Sequence, residues 1–105
     1  MKKLKVNLSQ KQIAEFCRQW KISELALFGS VLRDDFGQNS DLDILVTFDP
    51  KARWSLLDQI KMEQELTKLL GRKVDLVSKR AVEKSSNWLL RQEILTSAKV
   101  IYGTT

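Results

Sequence analysis

The sequence contains no histidine, one cysteine and one proline among its 105 residues. Without histidine there is no imidazole for acid–base catalysis and most kinds of zinc site are excluded. The single cysteine, Cys17, cannot form an internal disulfide and is compatible with the cytoplasm. No apolar run approaches the roughly 20 residues of a membrane-spanning helix. The basic N-terminus lacks the apolar segment of a signal peptide, so we expect a cytoplasmic protein with no membrane association.

The acidic residues are concentrated in one part of the sequence. Five of the 13 acidic residues and none of the 18 basic ones lie within 34–49, which leaves 8 acidic against 18 basic residues elsewhere. An acidic centre in a basic chain suits a site for metal and a polyanion, although a basic surface can also simply favour solubility. Hydrophobic residues make up 43% of the chain. This content predicts one domain over 1–105 with a core of its own.

The hydrophobic pattern predicts alternating helices and strands. Ile13 to Trp20 has the spacing of an amphipathic helix that begins at a Ser9–Gln12 capping box. Further helices are predicted at 54–70, ending at Gly71, and at about 87–98, with strands at 23–28, 41–48, 73–78 and 100–102, a helical turn at 31–35 and a loop at 36–40. The helical positions expected to be buried are Leu56, Ile60, Leu66, Leu69, Leu70, Leu90 and Ile94. The fold class is therefore α/β (α+β), a small mixed β-sheet with helices packed against it.

Two aspartates open the second predicted strand. Asp41 and Asp43 are two residues apart, so on a strand their carboxylates point to the same side and can bind one metal ion or bracket two. Aspartate is uncommon inside strands, and an ionised carboxylate is costly to bury without a partner. A solvated strand end is the alternative explanation, and a DxD pattern alone is weak evidence of a metal site.

A third aspartate strengthens the metal hypothesis. Asp75 interrupts the apolar run of the third predicted strand, where a carboxylate is unfavourable unless it is paired or metal-bound. If this strand lies beside the second, three carboxylates share one face and form a plausible two-metal site for phosphoryl chemistry. Mg²⁺ is the natural ion because it prefers oxygen ligands beside substrate phosphates. The alternative for Asp75 is a salt bridge to Arg72, Lys73 or Lys79.

A small turn precedes the aspartates. Gly29 allows close approach of a backbone to a phosphate, and Ser30 adds a hydroxyl donor at a strand-to-helix turn. Arg33, one helical turn later, could bind the same anion or brace the aspartates. A Gly-Ser pair occurs in many turns, and its meaning here comes from its spacing to the two aspartates.

The combination Gly29-Ser30, ten residues, Asp41-x-Asp43 and the later strand aspartate Asp75 resembles the nucleotidyltransferase superfamily related to DNA polymerase beta, and above all its minimal prokaryotic branch. The resemblance covers about 24–102 and implies the polymerase-beta-like fold. It implies that Gly29, Ser30 and Arg33 contact the triphosphate of ATP. It also implies that Asp41, Asp43 and Asp75 are the catalytic and metal-binding residues, holding Mg²⁺, with two ions expected.

The larger members of that superfamily carry a second, substrate-binding domain, and we expect this protein to lack it. The resemblance to the minimal branch implies a partner that supplies the acceptor: a HEPN-type toxin, modified with AMP on a tyrosine by its antitoxin in a hetero-oligomer. One alternative is a catalytically silent antitoxin that neutralises its toxin by binding, and another is a small-molecule transferase of the antibiotic-modifying kind. A nucleic-acid-binding module is disfavoured because no RNA-binding signature accompanies the positive charge.

Overall fold

The computed structural model describes residues 9–29 and 41–103. Its centre is a four-stranded sheet in the order β3-β2-β1-β4, in which β1 pairs antiparallel with β2 and β4 while β2 and β3 are parallel. The strands are β1 (Ile22–Phe28), β2 (Leu42–Phe48), β3 (Val74–Ser78) and β4 (Lys99–Gly103). The predicted mixed sheet is thus confirmed. The turn and loop predicted over 31–40 lie outside the described residues.

Two helices cover one face of the sheet, α1 (Gln10–Gln19) and α2 (Leu56–Leu70). Leu42, Ile44 and Val46 of β2 alternate along the strand, so they point to this face, where all three are buried. Burial in this layer raises the pKa of Cys17 to about 12, which keeps the thiol protonated. The main buried residues of the layer are Ile13, Phe16, Cys17, Leu25, Leu27, Leu42, Ile44, Val46, Met62 and Leu66.

Two further helices lie on the other face, α3 (Lys79–Glu83) and α4 (Trp88–Ser97). Val82 of α3 and Ile94 of α4 pack with Ala26 and Leu45 of the sheet. This second core is small and contains only a few buried side chains. The helix α3 was not predicted, since five residues are too few for a periodic signal to emerge.

The start of α2 differs from the prediction. Ser55 is its N-cap and forms a capping box with Asp58, so Trp54 lies before the helix rather than in it. Leu56 and Ile60, which were predicted to be buried, are 75% and 43% exposed. The buried stripe is instead centred on Met62 and Leu66, and at about 100° per residue Ile60 lies about 200° from Met62 around the helix axis.

The start of α1 and the end of α2 agree with the capping residues predicted from the sequence. Ser9 accepts a hydrogen bond from the backbone N–H of Gln12 at 3.3 Å and so caps α1. Gly71 ends α2 in the left-handed conformation, with φ of 68°. Within 9–29 and 41–103, no helix combines the length and apolar character needed to cross a membrane.

Candidate nucleotide and metal site

Gly29 stands directly after β1, beside the predicted metal-binding strand. Its φ is +77°, a conformation that other residues rarely adopt. The neighbouring Phe28 pairs with Asp43 of β2, and a Cβ added to Gly29 would overlap Oδ2 of the Asp43 carboxylate. The sequence predicts one role for Gly29, which is to let a phosphate approach the backbone closely. The structure adds a second requirement, because Asp43 occupies the space that a side chain would fill.

The parallel pairing of β2 with β3 brings two of the predicted aspartates together. Asp43 and Asp75 are register partners on adjacent strands, so their side chains project from the same face of the sheet. It is the face covered by α3 and α4, because Leu45 and Val77, two residues further along each strand, belong to that core. Asp41 lies directly before β2 and is exposed, as is Asp75, whereas Asp43 is half-buried.

The carboxylates are not drawn into a closed metal cage. Among residues 9–29 and 41–103, no three acidic or cysteine side chains converge closely enough to form one. The donor chemistry nevertheless fits a hard cation, because carboxylate oxygens on a solvent-accessible edge suit an ion that keeps several waters and also binds substrate phosphates. Of the salt bridges considered for Asp75, the one to Lys79 is disfavoured, because Lys79 Nζ lies 3.9 Å from Glu24 Oε1. Ser30 and Arg33 fall outside the described residues, so their roles stay predictions.

A cleft of about 370 Å³ opens beside Gly29 and Asp43. Its opposite wall belongs to α4 and includes Leu90, Glu93 and Ser97. Leu90 was predicted to point inward. It is 47% exposed because the surface it faces is this cleft rather than packed core.

Glu93 was missed by the sequence reasoning. Its only signal was its place one residue before the buried Ile94, on the edge of the inward stripe of α4. A larger depression, of about 510 Å³, lies between α1 and α2 and contains none of the predicted site residues. The cleft at Gly29 and Asp43 is therefore the better candidate for function, because it coincides with the predicted chemistry.

The profile of the nucleotidyltransferase domain family matches residues 9–101. This chain belongs to the nucleotidyltransferase domain family. A relative named protein adenylyltransferase MntA, from Thermococcus cleftensis, is 39% identical over 69 residues, which are 66% of this chain and 68% of that protein. Two Methanocaldococcus jannaschii relatives with provisional names as protein adenylyltransferases are 38% and 39% identical over 64 residues. The chain spans 64% and 63% of their lengths, just under two thirds.

Solved structures of toxin–antitoxin complexes share the fold of this nucleotidyltransferase domain. A toxin–antitoxin crystal structure with AMP-PNP matches with a TM-score of 0.70 and 29% identity, over 93% of this chain and 76% of that chain. A tri-AMPylated Shewanella oneidensis HEPN toxin in complex with its MNT antitoxin gives a TM-score of 0.61 and 28% identity, over 90% of this chain and 70% of that chain.

Proposed function

We propose that this chain transfers AMP from ATP to a hydroxyl of a partner protein, and that it thereby acts as the antitoxin of a HEPN-type toxin. The observation that carries the proposal is the arrangement of Gly29, Asp43 and Asp75 at one sheet edge in a nucleotidyltransferase domain. Relatives named protein adenylyltransferase and the structural likeness to an AMPylated toxin complex support the choice of reaction and partner. The proposed acceptor is a tyrosine of the toxin.

The reaction follows from the residues at this edge. The acceptor oxygen attacks the α-phosphorus of ATP, a new P–O bond forms, and the bond to the bridging oxygen breaks with release of pyrophosphate. The proton of the acceptor hydroxyl passes to a carboxylate of the site or to water. Gly29 leaves backbone N–H groups accessible to phosphate oxygens, and Ser30 and Arg33 are proposed to add donors.

We propose that Asp41, Asp43 and Asp75 hold Mg²⁺, with two ions expected. When bound, Mg²⁺ neutralises phosphate charge and lowers the pKa of the attacking hydroxyl. The half-buried Asp43 is fixed by β-sheet pairing on both sides, to Phe28 and to Asp75. It is therefore the ligand whose position the fold controls most tightly.

The test uses the product of the adjacent gene as the acceptor, and the proposal expects that product to be a HEPN-type protein. We expect its mass to rise by one or more AMP groups after incubation with this protein, ATP and Mg²⁺, and we expect no rise after addition of EDTA. Asp41→Asn with Asp43→Asn abolishes the transfer, since amides bind Mg²⁺ far more weakly than carboxylates. The matched control is Asp49→Asn, a change of the same kind at the exposed far end of β2, which retains transfer.

The same variants separate chemistry from masking. A toxin of unchanged mass under saturating conditions would refute AMP transfer. If the Asp41/Asp43 double variant still folds, binds the toxin and neutralises it fully, the protein is a masking antitoxin. If the double variant binds the toxin but no longer neutralises it, transfer is the mechanism.

A further inference from the structure

The wall of the cleft opposite Asp43 has no role in the proposed handling of ATP. Leu90, Glu93 and Ser97 of α4 line it, while Phe28, Gly29 and Asp43 line the other side. Resting on the proposed function, we infer that this α4 wall binds the hydroxyl-bearing side chain of the acceptor and that Glu93 accepts its hydrogen bond. The ligand class is a phenolic hydroxyl on a protein, as in tyrosine.

The wall is held in a defined position. Ile94, on the same side of α4, is buried against Ala26 and Leu45 of the sheet. Asn87 caps the helix by accepting a hydrogen bond from the backbone N–H of Leu90 at 3.2 Å. Residues anchored in this way on a helix can orient a substrate more precisely than residues on a loop.

The polar groups of the wall favour a neutral hydroxyl over a second phosphate. The Ser97 hydroxyl already donates to the carbonyl oxygen of Glu93 at 2.6 Å, so its donor is used within the helix. The Glu93 carboxylate is therefore the strong acceptor that the wall offers. The Glu93 carboxylate would repel an added anion, whereas a neutral O–H group can donate a hydrogen bond to it.

The apolar part of the wall favours an aromatic carrier on a polypeptide. Leu90 and Phe28 provide apolar surface on the two sides of the cleft. Trp88 and Leu89, at the start of the same helix, are 58% and 62% exposed on other sides of α4. A free small molecule in the cleft would leave these apolar side chains in water, while an acceptor protein seated at the cleft could cover them.

The experiment measures AMP transfer to the same candidate acceptor, the product of the adjacent gene, while acceptor, ATP and Mg²⁺ are varied in turn. We expect Glu93→Gln to raise KM for the acceptor by about fivefold to tenfold, because the amide oxygen still accepts a hydrogen bond but lacks the charge that strengthens it. We expect Leu90→Ala to raise the same KM by about threefold to tenfold, through lost apolar contact. KM for ATP, the Mg²⁺ requirement and AMP-PNP binding by calorimetry stay within about twofold of wild type, a change below half a kcal/mol.

The controls remove the same groups from the opposite face of the sheet. Glu15→Gln on α1 and Leu56→Ala on α2 change an exposed carboxylate and an exposed leucine, and acceptor KM should not move. An acceptor KM for Glu93→Gln equal to that of Glu15→Gln would overturn the inference. So would a shift confined to the Mg²⁺ requirement or to KM for ATP, since Glu93 would then belong to the nucleotide site. Absence of any transfer by the wild-type protein would instead refute the proposed function.

Discussion

Replacing Gly29 with alanine tests whether the glycine is required by its backbone conformation alone or also by its contact with Asp43. Its φ of +77° penalises any side chain by about 1–2 kcal/mol. The added Cβ also overlaps the Asp43 carboxylate and must push it aside, which by analogy with overpacked sites costs about 1–3 kcal/mol more. We therefore expect Gly29→Ala to lower the free energy of unfolding by more than its backbone penalty.

Gly71 is a matched control for the backbone part of this effect. Its φ is +68°, and a Cβ added there meets nothing within 4 Å. Gly71→Ala should therefore show the conformational penalty alone, and the lower entropy of the unfolded chain applies equally to both variants. The difference between the two free energies of unfolding, measured by urea denaturation, isolates the contact with Asp43.

A double-mutant cycle makes the reasoning refutable. In an Asp43→Ala background the carboxylate is gone and the nearest remaining Asp43 atom, Cβ, lies 3.5 Å from the added Cβ, an ordinary contact. The penalty of Gly29→Ala should then fall to that of Gly71→Ala. Equal penalties for the two glycines in the wild-type background would refute the packing argument. AMP transfer should fall about 100-fold in Gly29→Ala, because the displaced carboxylate is a proposed metal ligand, and should persist in Gly71→Ala.

The remaining predictions concern stability and the reactivity of Cys17. Leu66→Ala should lower the free energy of unfolding by about 2–5 kcal/mol, because Leu66 is fully buried. Its control, Leu57→Ala at an exposed position, should change the free energy of unfolding by less than about 0.5 kcal/mol in the same urea titration. Cys17 should react with a thiol reagent only as the protein unfolds, because burial raises its pKa to about 12; rapid labelling of the native protein would contradict this. Ser55→Ala should lower the free energy of unfolding by about 1 kcal/mol through loss of the N-cap. Hydrogen bonds from the backbone and side chain of Ser55 hold the pKa of Asp58 below its usual value. The stabilisation by the Asp58 carboxylate is therefore present above the unfolded-state pKa and is lost as pH falls through the lower folded-state value. A stability difference between wild type and Asp58→Asn that does not shrink in acid would disprove it.

Local signals in the sequence predicted most of the elements. The capping residue Ser9, the stop at Gly71 and the alternation of apolar residues from Leu42 to Phe48 are short-range features, and the structure bears them out. Their success has a physical basis, because caps and strand alternation depend on hydrogen bonds and geometry within a few residues of the chain.

The wrong predictions concern which face of a helix is buried. Both Ile60 and Met62 are apolar, and only the packing of α2 against the sheet decides that Met62 is buried and Ile60 is exposed. Leu90 has the spacing of a core residue with Ile94, yet it faces a cleft. Propensity and periodicity cannot separate these cases, since they describe a helix without the surface it meets.

By itself the sequence determined which chemical groups this protein offers: carboxylates, a glycine turn and no histidine. It also placed the glycine turn and the carboxylates at the spacing of a nucleotidyltransferase. Whether Asp43 and Asp75 would meet was decided by the tertiary structure, because the register of the parallel β2–β3 pair is set over a separation of some thirty residues. The tertiary structure also brought Glu93 of α4 to the same cleft and made Gly29 the neighbour of Asp43. Such contacts depend on how the whole chain packs, so no local pattern could have predicted them.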